Sequence, residues 1–382
     1  MRLFATILAL GATLLRAEAP PRPPVLVHAM AWFEADHDTG RLGRHWTMGR
    51  GEATAKEAAT HDRPLIDPYD SADPWVAEYQ ALTMKLAGID GAIIDWYGVD
   101  GFPDYRAIHR GTVRLIAELK KAHLTFAICL EDRAWKRAED EAGRSRDEAL
   151  KSAQRSWRIL AQEWLTDPDY FRVNGRPQLL VFGPLWMREP EVRALRDTLP
   201  KGTQLLGLPH LIQPARLDGA FAWLPVADGR KPTRAEWTRE LTALQARAAA
   251  TVVFPGYHDC YAETGQGPSY GFIPRDDGKT LEASWDFAVA ARPAFIQLAT
   301  WNDYGEGTTL EPSVKEGYKA LEQLQARLAP QAKPADLRLP ETLLSLRRKH
   351  PANAQPRALD AAAQLLRENK PAEAARLLAS LR

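Results

Sequence analysis

The feature that most constrains this chain is an alternation. Eight short apolar runs recur between residues 25 and 303: VLVHAMAW (25–32), GAIIDWYG (91–98), LTFAICLED (124–132), RPQLLVFG (176–183), TQLLGLPH (203–210), GAFAWLPV (219–226), TVVFPGYHD (251–259) and AFIQLATWND (294–303). Each has strand length and is apolar nearly throughout, as strands covered on both faces should be. Amphipathic stretches separate most of them, among them YRAIHRGTVRLIAELKKAH (105–123), DEALKSAQRSWRILAQEWL (147–165) and TRAEWTRELTALQARAA (233–249). Eight strand–helix alternations predict a (β/α)8 TIM barrel of the α/β class, with an open doubly wound sheet as the competing architecture. One connection, LIQPARLD (211–218), is too short for a full helix.

The 382 residues leave room for more than a barrel. From about Lys333 a Pro-bearing linker leads into ALDAAAQLLRE (358–368) and PAEAARLLASL (371–381). We therefore expect a barrel over 20–330, with 331–382 a linker and C-terminal helical hairpin. A lone hairpin has no neighbouring repeat to bury its face, so it should pack as an appendage. At the other end, Met1-Arg2 precedes a short apolar stretch that closes on Ala17-Glu18-Ala19. This has the build of a secretory signal peptide over 1–19, implying a secreted or periplasmic protein. The stretch is short of the ~20 residues of a membrane span, and no later stretch is long enough.

A net charge of +1 with scattered Lys and Arg gives no support to nucleic-acid or anionic-membrane binding. Cys129 and Cys260, the two cysteines, can pair in an oxidising compartment or lie buried as free thiols.

Barrel chemistry sits where strands end. Those ends carry Trp32; Asp95, Trp96 and Tyr97; Glu131 and Asp132; Trp186; Trp223; Tyr257, His258 and Asp259; then Trp301, Asn302 and Asp303. Aromatic faces interleaved with carboxylates suit a sugar, whose C–H groups pack on rings while its hydroxyls bond to acids and amides.

In "TWNDYGEGTTLEP" (300–312), Asp303 and Glu306 have the spacing of a helix-capping box. Gly305 and Gly307 argue against a helix there. Pro312 and Ser313-Val-Lys-Glu316 form a better cap, so a helix is expected from about Val314, with Asp303–Thr309 a loop. Two carboxylates on such a loop match the acid/base pair of glycosidic cleavage. Gly267-Pro-Ser269-Tyr-Gly271 matches a nucleophile elbow but sits in turn-rich sequence, where an elbow needs a strand before it and a helix after. No HExxH, Cys-x-x-Cys, Walker loop or G-x-G-x-x-G occurs, so no cofactor or metal is expected.

These motifs resemble glycoside hydrolase families 71 and 99, which contain endo-α-1,3-glucanases and endo-α-mannosidases on (β/α)8 barrels. The resemblance runs over roughly 28–325 and is strongest in "PGYHD" (255–259), "RDDGKTLEASW" (275–285) and "TWNDYGEGTTLEP". The last motif reads N-E-W-H-E-G-T in the endo-mannosidases and W-N-D-Y/F-G-E in the glucanases. "GAIIDWYG", "FAICLED" and the His45-Trp46 pair match upstream. The resemblance implies that Glu306 is the general acid. Asp303 falls on the partner carboxylate, a Glu in the endo-mannosidases that is thought to act on the sugar's own 2-hydroxyl. Glu131 would hold hydroxyls beside the cleaved bond. Gly305 stands where the motif has His, and Ala29-Met30 where the family has a Tyr pair.

The expectation is a glycosidase for an α-linked oligo- or polysaccharide. Asp303 and Glu306 would be catalytic, with Trp32, His45, Trp46, Asp95, Trp96, Tyr97, Glu131, Trp186, Tyr257, His258 and Asn302 lining subsites. A non-catalytic glycan-binding protein on the same barrel is the alternative, and an esterase acting through Ser269 a third reading.

Overall fold

In the computed structural model the eight apolar runs become eight strands: β1 (Val25–Met30), β2 (Gly91–Trp96), β3 (Thr125–Leu130), β4 (Arg176–Val181), β5 (Gln204–Gly207), β6 (Gly219–Phe221), β7 (Ala248–Val253) and β8 (Phe295–Leu298). Each pairs in parallel with the next, and β8 returns to β1 through Val25–Ile296, Leu26–Gln297 and Val27–Leu298. The sheet closes, which excludes the open doubly wound alternative. The structure describes residues 22–36, 38–49, 58–100, 104–245, 248–350 and 356–381. The signal peptide expected over 1–19 lies outside them.

Every residue of β1 and β2 is buried, as apolar strands between a filled barrel interior and a helical ring must be. The ring comprises α1 (Pro74–Leu86), α2 (Tyr105–Lys121), α3 (Arg146–Ile159), α4 (Glu189–Thr198), α5 (Arg234–Gln245), α6 (Lys279–Ala290) and α7 (Lys319–Leu328). Local chemistry sets several starts. The Asp73 carboxylate accepts the Trp75 N–H at 2.8 Å ahead of α1, with Pro74 in the first turn. Ser145 and Glu148 form a reciprocal capping box at α3. Between β5 and β6 the chain makes only the four-residue turn Ile212–Ala215, as its length predicted.

α7 departs from expectation. It starts at Lys319 rather than near Val314. The expected cap bond forms, Ser313 Oγ accepting the Glu316 N–H at 3.3 Å, but the chain is tied to the 62–63 segment and turns again before the helix begins. Val314 N–H donates to Arg63 O at 2.9 Å and Lys315 N–H to Asp62 Oδ1 at 3.1 Å. Ser313 pairs with Gly317, whose φ of +58° turns the chain once more before the helix.

The C-terminal residues form α8 (Leu339–Arg348), α9 (Arg357–Arg367) and α10 (Pro371–Ala379), with α8 and α9 against α1. Arg347 anchors them. It is buried, reaches both oxygens of Glu78 at 2.6 and 3.2 Å, and lies 4.0 Å over the Trp75 ring. Arg367 donates to Glu78 at 2.8 Å and to Glu118 at 3.2 Å. Cys129 and Cys260 are both buried free thiols.

Candidate active site

Three neighbouring strand ends build the corner where the acids meet. Met30, the last residue of β1, is in register with Asp95 of β2, and Asp95 with Cys129 of β3. On the other side the Asn302 side chain grips the Met30 backbone. Its Oδ1 accepts the Met30 N–H at 2.8 Å, and its Nδ2 donates to Met30 O at 2.9 Å. Asp95 and Asp303 are thereby brought to one level at the barrel's C-terminal rim.

The loop after β8 is held by its own backbone. Asp303 N–H donates to Thr300 Oγ1 at 2.9 Å, and Asp303 Oδ1 accepts the Glu306 N–H at 3.0 Å. The capping hydrogen bond is thus present although no helix follows. Glu306 O and Gly305 O accept N–H groups of His258 and Cys260 at 2.9 and 3.0 Å, joining this loop to the chain after β7. Gly307 has φ +66°, and a Cβ there would stand 2.7 Å from His258 O, so glycine is required. A side chain at Gly305 would begin 3.1 Å from Met48 Sδ and 3.4 Å from Asp303 Oδ1. Met48 leaves little room for the histidine of the endo-mannosidase motif.

Asp95, Glu131 and Asp303 are buried, and Glu306 is half-buried. Among the described residues none of the four carries an ion-pair partner. Tyr261 donates its hydroxyl to Glu306 Oε1 at 2.9 Å. Burial pushes Asp303 up to about 6, against the backbone N–H groups of Glu306 and Gly305, which favour its ionised form. Burial, then the neighbouring Asp303 charge, pushes Glu306 up to about 8; the Tyr261 hydroxyl works in the opposite direction. Asp95 rises to about 8 for the same two leading reasons, and Glu131 is raised by burial, then by Asp95 and Asp132. Near neutral pH the first carboxyl to ionise is Asp303, while Glu306 keeps its proton. The steps belong to the coupled group rather than to each residue. The arrangement sets a proton donor beside a carboxylate.

Aromatic rings frame this corner. Trp32 stacks on His45 at 4.5 Å, and His45 Nε2 lies 3.1 Å from Asp104. Tyr97 stacks on Tyr105 at 5.2 Å. Tyr257 is buried beside Glu306. His258 is exposed at the rim, stacked 3.8 Å from His61, whose Nε2 is 2.8 Å from Glu263. His61, His258 and Glu263 have ligand atoms within 4.8 Å of one another, the one such trio among the described residues. The two imidazoles lie face to face at 17°, so their in-plane lone pairs do not converge on a common point.

Four expected subsite residues lie elsewhere. Trp46 is fully buried between Phe33 and Tyr69 and donates Nε1–H to Tyr69 O at 2.8 Å. Trp96 packs against Trp164 at 4.8 Å, behind the strand, because successive strand residues face opposite ways and Asp95 takes the inner face. Trp186 is buried under the Arg146 guanidinium at 4.2 Å, with Nε1–H donated to Glu139. Asn302 spends its amide on Met30 and Tyr69. Trp32, His45, Asp95, Tyr97, Glu131, Tyr257 and His258 surround the acid pair or its rim. Tyr261, Asp104 and His61 were not foreseen. Only the "YHDCY" spacing, which sets Tyr261 four residues after Tyr257, could have signalled the first. Ser269 Oγ bonds to Asp259 at 3.0 Å on a loop, not on a strand-to-helix elbow.

The fold has solved counterparts. The endo-α-mannosidase of glycoside hydrolase family 99 from Bacteroides thetaiotaomicron superposes with a TM-score of 0.59 and 17% identity over 83% of this chain and 98% of its own. Its complex with bis-tris-propane gives 0.58 and 18%, over 81% and 98%. A protein described as glycoside hydrolase-like gives 0.55 and 13%, over 84% and 97%. No protein-family model and no curated protein sequence matches the chain. The chain therefore has the barrel of the glycoside hydrolase 71/99-like proteins, which is the fold its motifs implied.

Proposed function

We propose that this protein is a glycoside hydrolase acting on an α-linked glycan, α-mannan- or α-glucan-like. The observation that carries the reading is the Asp303–Glu306 pair on the loop after β8. Asp303 Oδ1 accepts the Glu306 N–H at 3.0 Å, and the Tyr261 hydroxyl donates to Glu306 at 2.9 Å. Burial raises both carboxyls, Glu306 further than Asp303. Glu306 gives its proton to the glycosidic oxygen as the C–O bond breaks. Asp303 takes a proton from the attacking group, either a water or the sugar's own 2-hydroxyl, and the two outcomes leave opposite anomers. Glu131 and the Tyr257 hydroxyl hold neighbouring hydroxyls, while Trp32 and Tyr97 offer ring faces. The short Asp at 303 and the glycine at 305 distinguish the site from the endo-mannosidase motif. We read the leader over 1–19 as export, placing the substrate outside the cytoplasm. Purified protein screened on α-glucans and α-mannans, with product anomers read by NMR, tests the activity. Reducing-end release that persists in Glu306→Gln would remove the assignment, and glycan binding without any release would leave a binding protein.

A further inference from the structure

The glycosidase reading employs Glu306, Asp303 and Glu131 and leaves Asp95 without a task. Asp95 is buried at the end of β2, one strand from the Asn302–Asp303 corner, with the Cys129 thiol as its hydrogen-bonding neighbour. Several other buried carboxyls among the described residues are satisfied. Asp132 accepts the N–H groups of Leu185, Trp186 and Met187, and Glu311 accepts from Tyr69 and Tyr304. Glu78 has two arginines. At the candidate site, by contrast, four carboxyls meet with no ion-pair partner among the described residues. The Arg133 charge acts on Glu131, and none of the groups that shift Asp95 is a cation.

A second observation points to a missing ligand. The Tyr257 hydroxyl is buried in the same corner beside Glu306, Asp259 and Asp303. Asp259 is its hydrogen-bonding neighbour, and the geometry to it is too poor to satisfy the hydroxyl. A buried hydroxyl left poorly paired costs up to about 1–3 kcal/mol, part of which a ligand atom seated there would recover. A neutral sugar supplies hydroxyls but no charge. An ammonium on the sugar ring supplies three donors and a positive charge beside Asp95, which has no cation paired with it among the described residues.

We propose that the site takes a glycan bearing a free amino group, a de-N-acetylated hexosamine unit, with Asp95 as the carboxylate that pairs with the ammonium. This rests on the glycosidase reading and narrows its substrate. Pairing with the cation favours the ionised form of Asp95, so binding near pH 7 releases protons.

Calorimetry on Glu306→Gln, with α-linked tetramers of glucosamine, N-acetylglucosamine and glucose, tests this. The glucosamine tetramer should bind at least about ten-fold tighter than the neutral ones, with a heat that varies with buffer ionisation. Adding Asp95→Asn should bring the three within about three-fold of one another. Equal or tighter binding of a neutral tetramer, a preference that survives Asp95→Asn, or no binding of any of the three would overturn the proposal. The wild-type binding ratio decides the matter even where the double variant folds poorly. Reducing-end assays on the wild type separate the two readings. Neutral glycans cleaved without amino preference leave the glycosidase reading standing and remove this one. An amino preference in binding with no cleavage of any glycan does the reverse.

Discussion

Two groups of buried carboxyls in this chain are solved in opposite ways. Where the C-terminal helices meet α1 and α2, Glu78 and Glu118 face Arg347 and Arg367, and charge is matched within 3.2 Å. At the mouth of the barrel Asp95, Glu131, Asp303 and Glu306 meet without an ion pair among the described residues, and only Arg133 acts on Glu131 from further off. Burial and the neighbouring Glu118 push Glu78 up as well, but its two arginines oppose that. At the mouth Asp95, Glu131 and Glu306 are each pushed further up by another acid, and only backbone N–H groups oppose the rise of Asp303. The matched group stabilises a joint. The unmatched group costs stability and holds protons near neutral pH, the condition a general acid needs.

The largest expected effect breaks the unmatched group. Glu306→Gln and Asp303→Asn should each lower turnover by about 10²–10⁴-fold. Both should leave the protein folded, and at pH 8 close to the parent in heat stability, because each removes a carboxylate that burial disfavours and no ion pair balances. Turnover on the screened glycan and thermal melts of the same samples check both halves. The matched group should answer in reverse. Arg347→Met should cost about 3–5 kcal/mol of unfolding free energy, since Glu78 loses its bidentate partner while buried. Activity per folded molecule should not change. A loss of activity at full stability would mean that the C-terminal helices belong to the site.

Next in size is the pH dependence of stability. The acids at the mouth have folded values raised above their usual range, so they bind protons more tightly folded than unfolded. The stability they confer is full below about pH 4 and is lost as pH rises through about 6 and about 8. Asp95→Asn should flatten this decline, adding about 1–3 kcal/mol at pH 8 and almost nothing at pH 4. Denaturant melts at the two pH values test the sign. Turnover should be bell-shaped, falling below about 6 as Asp303 protonates and above about 8 as Glu306 ionises.

The contrast also explains what could be read from the sequence. The eight strands were legible because both faces of each are buried, and continuous apolar runs record that. The acid pair drew notice because Gly305 and Gly307 argue against the helix that a capping box would start, and the structure has the capping bond from Glu306 N–H to Asp303 without the helix. The tryptophans were harder. A Trp at a strand end is the same letter whether it faces the cleft or the helices, and the two-residue period sent Trp96 outward beside an inward Asp95. Asn302 looked like a ligand group but is a clamp on Met30, a role fixed by a partner 272 residues away. The late start of α7 has the same origin, since residues 62 and 63 hold Lys315 and Val314 in place and Gly317 turns the chain before the helix.

The smallest effect concerns Tyr261, which lies outside every motif and touches Glu306 only because the chain after β7 folds back over the β8 loop. Its hydroxyl donates to Glu306 Oε1 and so favours the carboxylate, opposing burial and the Asp303 charge. Removing it in Tyr261→Phe should raise the proton affinity of Glu306. The alkaline limb of the pH–rate profile should move upward by about one pH unit or less, with the plateau falling less than about ten-fold. A limb that stays in place while the plateau falls would make Tyr261 a packing residue. A downward shift would mean that the hydroxyl accepts the Glu306 proton in the resting site and that the assignment of the acid must be revised.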